Sequence, residues 1–422
     1  MKQSFPAQFR SLNKPARLFL LAIFFDGLLF SGFILFLNLY ILEAGFSRDF
    51  LGMVNAAPSI SALLLGVPMG LLSDRIGRKR AMIIGFSLAN FAIIGMLLSR
   101  SEAAILALAL AWGATGQLYM LSHAPFMMKV SDDKSRDVLF SWSFGMFPLA
   151  STLGSLLAGY LPGAFRDSFG IASSAAAYQA ALLFCVTSSF LVLLPIAFIR
   201  EPKTAPAEMK TGEPASRPSV WKVLFRPLTL KLSIPNLVVG FGAATLVPYF
   251  NVFFVERHQM SDATLGILFS IASLVTGVAC LVAPRLVGNL GGKIRTVVIG
   301  QGISLVFLLA IGFSPWPWLA VAGFLVRGAL MNMVAPLFDA FALELTHESE
   351  HGAVNSVRNL AWNVGWAVGP YISGVVQQRW GFAPLFINTA ILYALSIFLT
   401  WIFFRPGASR EPLPAPVAES AS

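Results

Sequence analysis

Long apolar runs alternate with short polar gaps along almost the whole chain. Most runs reach the roughly 20 residues that a helix needs to cross a bilayer. The pattern predicts spanning helices near 18–42, 50–72, 81–99, 103–128, 138–162, 174–199, 230–254, 263–287, 296–314, 317–343, 353–376 and 382–404. The first run follows a basic flank of Lys2, Arg10, Lys14 and Arg17. It is longer than a signal-peptide core of about 7–15 residues and lacks a small-residue cleavage site. It therefore reads as the first span, with a cytoplasmic N-terminus. The expected fold class is an all-α polytopic membrane protein with 12 transmembrane helices.

One gap is longer than the rest. Residues 200–229 are rich in proline, mixed in charge and poor in apolar side chains until Val220. Such a segment buries too little surface to fold alone, so it reads as a cytoplasmic linker. It separates an N-terminal six-helix bundle over 1–199 from a C-terminal one over 230–404. The tail, 405–422, carries Pro406, Pro412, Pro414 and Pro416 and reads as disordered and cytoplasmic. The halves echo each other. Ala124-Pro125 in span 4 matches Ala335-Pro336 in span 10, and Gly154 and Gly159 in span 5 match Gly369 and Gly374 in span 11. Repeated halves are a transporter signature.

Composition sharpens this picture. Hydrophobic residues make up 56% of the chain and charged residues 12%, against about 25% charged in a soluble domain. The net charge of +10 does not mark a nucleic-acid binder, because the Lys and Arg residues sit in short connections between apolar runs. Their bias places both termini in the cytoplasm of a bacterial inner membrane. Cys185 and Cys280 fall inside apolar runs and read as small buried hydrophobes, without a disulfide framework or metal site. No cofactor is expected, no nucleotide-binding loop is present, and energy should come from a gradient.

The most polar hairpin joins spans 2 and 3 and carries Gly70-x-x-x-Asp74-Arg75-x-Gly77-Arg78-Lys79-Arg80. Gly70 permits close helix approach and Gly77 a tight turn. Asp74 suits the positive dipole end of a neighbouring helix. The cations Arg78, Lys79 and Arg80 suit either a gate or anionic lipid headgroups.

This motif resembles the signature of the major facilitator superfamily, in the place where that family carries it. The resemblance implies two pseudo-symmetric six-helix bundles, alternating access, and a cavity lined by helices 1, 4, 7 and 10. It also implies that Asp74 meets the start of span 11, near 352–356, as a cytoplasmic latch between the halves. The echo after span 8, residues 288–295, lacks the Asp-Arg pair. An asymmetric gate is therefore expected, strong between spans 2 and 11 and weak between spans 8 and 5.

Ionisable residues inside spans are functional candidates by default. Asp26 lies in span 1, and Arg327 and Asp339 lie in span 10. Loss of hydration would fit the carboxyl of Asp26 for proton exchange. Arg327 keeps its proton, so it suits an anionic group or a pair with Asp26 or Asp339. Around them, Asn38, Gln117, Tyr119, Asn236, Tyr249, Asn251, Asn332 and Trp362 are candidates for the cavity wall. The family often has an Arg-Gly in span 4. Here span 4 has Trp112-Gly113, and the Arg-Gly is Arg327-Gly328. Gly154, Gly159, Gly365, Gly369, Pro370 and Gly374 are expected to let helices pack closely and bend. Drug antiporters of the family carry Gly-Pro in span 5, which is absent here.

The reading is a monomeric secondary active transporter moving a small amphipathic or lipophilic solute, by proton-coupled efflux as an antiporter. The alternatives are metabolite uptake and lipid or lysolipid translocation on the same fold. A membrane enzyme is the other class. Against it, the chain has no nucleophile motif and no metal-spaced His/Cys cluster.

Overall fold

The computed structural model describes residues 9, 12–131, 135–200, 223–347 and 350–405. Most of the expected linker and of the expected disordered tail lies outside the described residues, as do Lys2 and Arg10.

Among the described residues there are only helices, turns and connections. The long helices are α1 (Lys14–Glu43), α2 (Arg48–Ile76), α3 (Arg78–Leu98), α4 (Glu102–Val130), α5 (Arg136–Phe169), α6 (Ser174–Phe198), α7 (Pro227–His258), α8 (Asp262–Asn289), α9 (Lys293–Phe313), α10 (Pro317–Glu344), α11 (His351–Trp380) and α12 (Ala383–Phe404). Eleven are long and apolar enough to cross a membrane. The other, α11, is long enough but carries His351, Arg358, Gln377, Gln378 and Arg379. Two spans expected to be continuous are interrupted. A 3-10 turn breaks α6 at Ser189–Val192, and another breaks α7 at Val247–Tyr249, where Pro248 lacks the N–H that a helix needs. Cys185 is buried, whereas Cys280, expected to be buried, is exposed.

Short polar residues set the helix starts. The side chain of Asn13 accepts from the Ala16 N–H at 2.9 Å, and Ser47, Ser101 and Ser173 cap α2, α4 and α6 in the same way. Gly77, with φ at 89°, ends α2 and starts α3. That region of backbone space favours glycine.

The helices form two compact units. The first joins Met1–Thr204, Val247–Gly277 and Pro370–Arg379, and the second joins Ala205–Leu246, Val278–Gly369 and Trp380–Ser422. In the first, α1 packs on α5 and α6, while α4 packs on α2 and α3. In the second, α9 packs on α10 and α12, and α7 on α12. Phe19, Met82, Phe126 and Ile196 anchor a core in the first unit. Leu232, Val297, Met333 and Phe404 anchor one in the second.

The matched glycines do matching work. A Cβ at Gly154 would overlap the Leu28 carbonyl and Ser31 of α1, and one at Gly369 would stand 2.7 Å from Ala244 Cβ of α7. So α5 and α11 each press on the first helix of their own half. One turn and a half further on, a Cβ at Gly159 would stand 2.8 Å from Gly266 Cα of α8, and one at Gly374 would overlap the Arg48 carbonyl of α2. Gly365 packs on Phe241 N of α7. Gly70 behaves otherwise. The close approach expected there is not made, since the nearest atom to a Cβ would be Leu121 Cδ1 at 3.9 Å.

Candidate functional site

The first polar grouping sits where α1 crosses α4. Tyr119 OH donates to Asp26 Oδ2 at 3.3 Å. The carboxyl is half-buried and makes no ion pair among the described residues. The Tyr119 ring meets the His123 ring edge-on at 4.3 Å and the Phe86 ring at 4.9 Å. His123 Nε2 is buried with no hydrogen-bond partner among the described residues. Tyr119 and His123 are four apart, so one helical face presents both. The sequence singled out Asp26 and Tyr119 but not His123. The i, i+4 spacing was the signal. Gln117 is half-buried on the same helix.

The second grouping lies toward the other end of α1, where the broken α7 exposes backbone. Asn38 Nδ2 donates to the Pro248 carbonyl at 2.6 Å and to Asn251 Oδ1 at 3.3 Å. Asn55 Nδ2 donates to Asn38 Oδ1 at 3.1 Å, and Asn251 Nδ2 to the Leu35 carbonyl at 2.9 Å. Tyr249 OH donates to the Pro370 carbonyl at 2.8 Å. Asn38, Asn251 and Tyr249 are all buried. They tie helices together here rather than face open space.

Beyond them, at the end carrying the α1–α2, α5–α6 and α7–α8 connections, charges converge. Arg166 pairs with Asp262, and Tyr178 OH donates to the same carboxylate at 2.6 Å. Arg48 Nη2 meets Glu256 Oε1 at 2.5 Å, and its Nη1 donates to Gln377 Oε1 at 3.2 Å. The Arg48 N–H donates to Gln378 Oε1 at 3.3 Å.

In the second unit, Arg327 is buried on α10. Its Nη2 donates to Tyr393 OH at 2.6 Å, and its guanidinium lies 5.7 Å from that ring's centre. Asp339, also on α10, pairs with Arg358 of α11 at 2.5 Å. Arg358, which the sequence reading missed, is buried and lies 5.2 Å from the Phe338 ring centre. Asn236 Nδ2 donates to its carbonyl at 3.0 Å. Trp362 packs over Gly240, and Asn332 is exposed: its Nδ2 donates to the Gly328 carbonyl of its own helix at 2.9 Å, and its backbone carbonyl accepts from Cys280 Sγ of α8 at 3.7 Å.

At the α2–α3 turn, Arg78 pairs with Asp74, and its Nη1 donates to Ser73 Oγ at 2.9 Å. Lys79 Nζ donates to the Ala197 and Ile199 carbonyls at 2.8 and 2.7 Å, capping the negative end of α6. Arg75 and Arg80 are exposed. The family model of the Major Facilitator Superfamily matches residues 19–299 and 232–421. The chain belongs to the Major Facilitator Superfamily. Relatives include the multidrug resistance protein MdtG of Dickeya zeae, 26% identical over 93% of this chain and 94% of the relative. MdtG of Enterobacter lignolyticus is 25% identical over 92% of each chain. A crystal structure of the nucleoside transporter NupG superposes with a TM-score of 0.74 at 14% identity, over 93% of this chain and all of that one. A bacterial homologue of the human lysosomal transporter Spinster gives 0.71 at 14% identity, over 95% and 97%.

As a member of this superfamily, the protein is a multi-pass membrane transporter with the twelve-helix, all-α fold of the family.

Proposed function

We propose that the protein exports small amphipathic or lipophilic solutes in exchange for protons. Asp26 carries this reading: a half-buried carboxyl inside a span, held by one tyrosine and matched to no cation among the described residues. A carboxyl in that setting is set up to take and release a proton. Protonation removes the negative charge that Tyr119 OH serves as donor, which changes the α1–α4 contact. His123, against the Tyr119 ring, offers a second proton acceptor on the same face. The relatives' name, multidrug resistance protein, supports export.

The cations of the α2–α3 turn support a cytoplasmic position for that turn and for both termini at the inner membrane, by the positive-inside rule. The end bearing Arg48, Arg166 and Asp262 then faces outward. Transport proceeds by rocking of one half against the other, so that the solute reaches each side in turn. Asp74 would exchange its Arg78 partner for the start of α11 as the protein cycles.

The test uses everted membrane vesicles, an imposed pH gradient and ethidium as the reporter solute. Asp26→Asn keeps the shape and the acceptor for Tyr119 but cannot carry a proton. It is expected to reach wild-type levels in the membrane and to lose gradient-driven accumulation. Wild-type accumulation with unchanged dependence on the gradient would overturn the proton role of Asp26.

A further inference from the structure

Between α9 and α12, within the second unit, runs an apolar groove of about 590 Å³. It is lined by Ile299, Leu305, Phe398 and Trp401 and by two small residues, Gly302 and Ala394. A Cβ at Gly302 would meet nothing within 4 Å, so the glycine leaves open space. Phe398 is 58% exposed and Trp401 38% exposed, as expected of a face turned to lipid. One charged side chain, Arg295, lines the groove, and it stands in the first turn of α9.

Three observations make this more than a lipid-facing crease. First, Arg295 makes no hydrogen bond or ion pair among the described residues, whereas its neighbour Lys293 is neutralised by Glu344. Gly291, with φ at 78°, makes room for it, since a Cβ there would stand 2.9 Å from the guanidinium Nη1. Second, no side chain caps α9, so its free N–H groups add positive potential at that end. Third, the groove has the length of one leaflet. From Arg295 to Leu305 the helix rises about 15 Å, half of a hydrocarbon core about 30 Å thick. Trp401 lies in the last turns of α12, at the same end as Arg295, where an indole suits the headgroup level.

We infer that the α9–α12 groove is a site for one anionic phospholipid, with its phosphate on Arg295 and an acyl chain laid over Gly302 and Ala394. The occupant is anionic because the only charged group in the lining is a cation, which also repels cationic solutes. Basic pockets between transmembrane helices on the cytoplasmic side take anionic headgroups for the same reason.

The test reconstitutes the full chain in vesicles of equimolar phosphatidylglycerol and phosphatidylcholine, extracts it in mild detergent and weighs the protein–lipid complexes by native mass spectrometry. Wild type should keep phosphatidylglycerol in preference to phosphatidylcholine. Arg295→Gln should reduce that retention about fivefold, the effect of one cation at headgroup level, and Arg295→Lys should keep most of it. Gly302→Leu, which adds a side chain to open space, should also reduce it while the protein stays monodisperse on size exclusion. Equal retention of both lipids by wild type, unchanged retention in Arg295→Gln, or unchanged retention in Gly302→Leu would each overturn the assignment and leave ordinary boundary lipid only.

Discussion

The two ends of the first unit treat their charges in opposite ways. At the α2–α3 turn, Asp74 is 59% exposed on its side chain and its partner Arg78 lies only four residues away. Arg75 and Arg80 stand exposed, and Gly70 presses on no neighbouring backbone. At the other end, Asp262 is 13% exposed and collects both Arg166 and Tyr178. Arg48 there joins Glu256, Gln377 and Gln378. Glycines bring backbones together at Gly159 with Gly266 and at Gly374 with Arg48. The end with the strongest sequence signature is the loosely bonded one. A transporter that rocks would alternate such contacts between its ends, so a motif can stay unengaged in one state and be essential in another.

The sharpest way to break this contrast is steric. Gly159→Leu would drive a side chain into the Gly266 backbone, where the Cβ alone would stand 2.8 Å from Cα. Backbone cannot yield as a flexible side chain can, so α5 and α8 must separate. Overpacking of this kind costs about 1–3 kcal/mol or more. Thermal unfolding in detergent should show a clear drop in midpoint, together with reduced transport in vesicles. Gly163, four residues on in α5, has nothing within 4 Å of a Cβ. Gly163→Leu should therefore be silent. Equal effects at both positions would mean that the α5–α8 approach does not hold this end together.

A smaller effect is expected from charge alone. Asp262→Asn keeps the shape but leaves Arg166 without its carboxylate and weakens the bond from Tyr178. Removing one partner of a fully buried pair costs about 3–5 kcal/mol. Arg166 is 37% exposed, so water replaces part of the loss, and about 1–3 kcal/mol is expected. Tyr178→Phe should cost less, about 1 kcal/mol for one hydrogen bond. Both appear as ordered shifts of the same unfolding midpoint, and a larger shift for Tyr178→Phe would reverse the roles assigned to the two groups.

The contrast also marks where the sequence was legible. Span number and order followed from hydropathy and length, because a bilayer imposes both on any helix that crosses it. Gly154, Gly159, Gly369 and Gly374 were readable as close-packing sites because small residues at helical spacing have few other uses in apolar runs. The hairpin motif was readable because its partners lie within a few residues. The Arg166–Asp262 pair was not, since 96 residues separate the two and each reads as an ordinary loop charge. Nor were Arg358 and His123, whose roles depend on which way the helix is rotated. Lipid is as apolar as the protein core, so lipid-facing and buried faces carry the same residues and hydropathy holds little rotational information. The breaks in α6 and α7 went unseen for a related reason. Pro248 marks a weak point, but whether a helix bends or unwinds there depends on neighbours such as Asn38, which takes the freed carbonyl.

The smallest stability effect should come from the loudest motif. Asp74→Asn removes an i, i+4 pair across an exposed turn, and such pairs contribute about 0.3–0.5 kcal/mol. The unfolding midpoint should hardly move, well below the shift from Asp262→Asn, and insertion should be normal. Transport should nevertheless fall sharply, because the carboxylate would be needed in the state where it meets the start of α11. Arg78 would be left with Ser73 and solvent, which satisfies it without the acid. A variant that is stable and inactive would separate the two ends by role: one holds this arrangement together, and the other serves the arrangement that follows. Wild-type transport in Asp74→Asn would instead reduce the motif to a turn and a set of cations at the membrane surface.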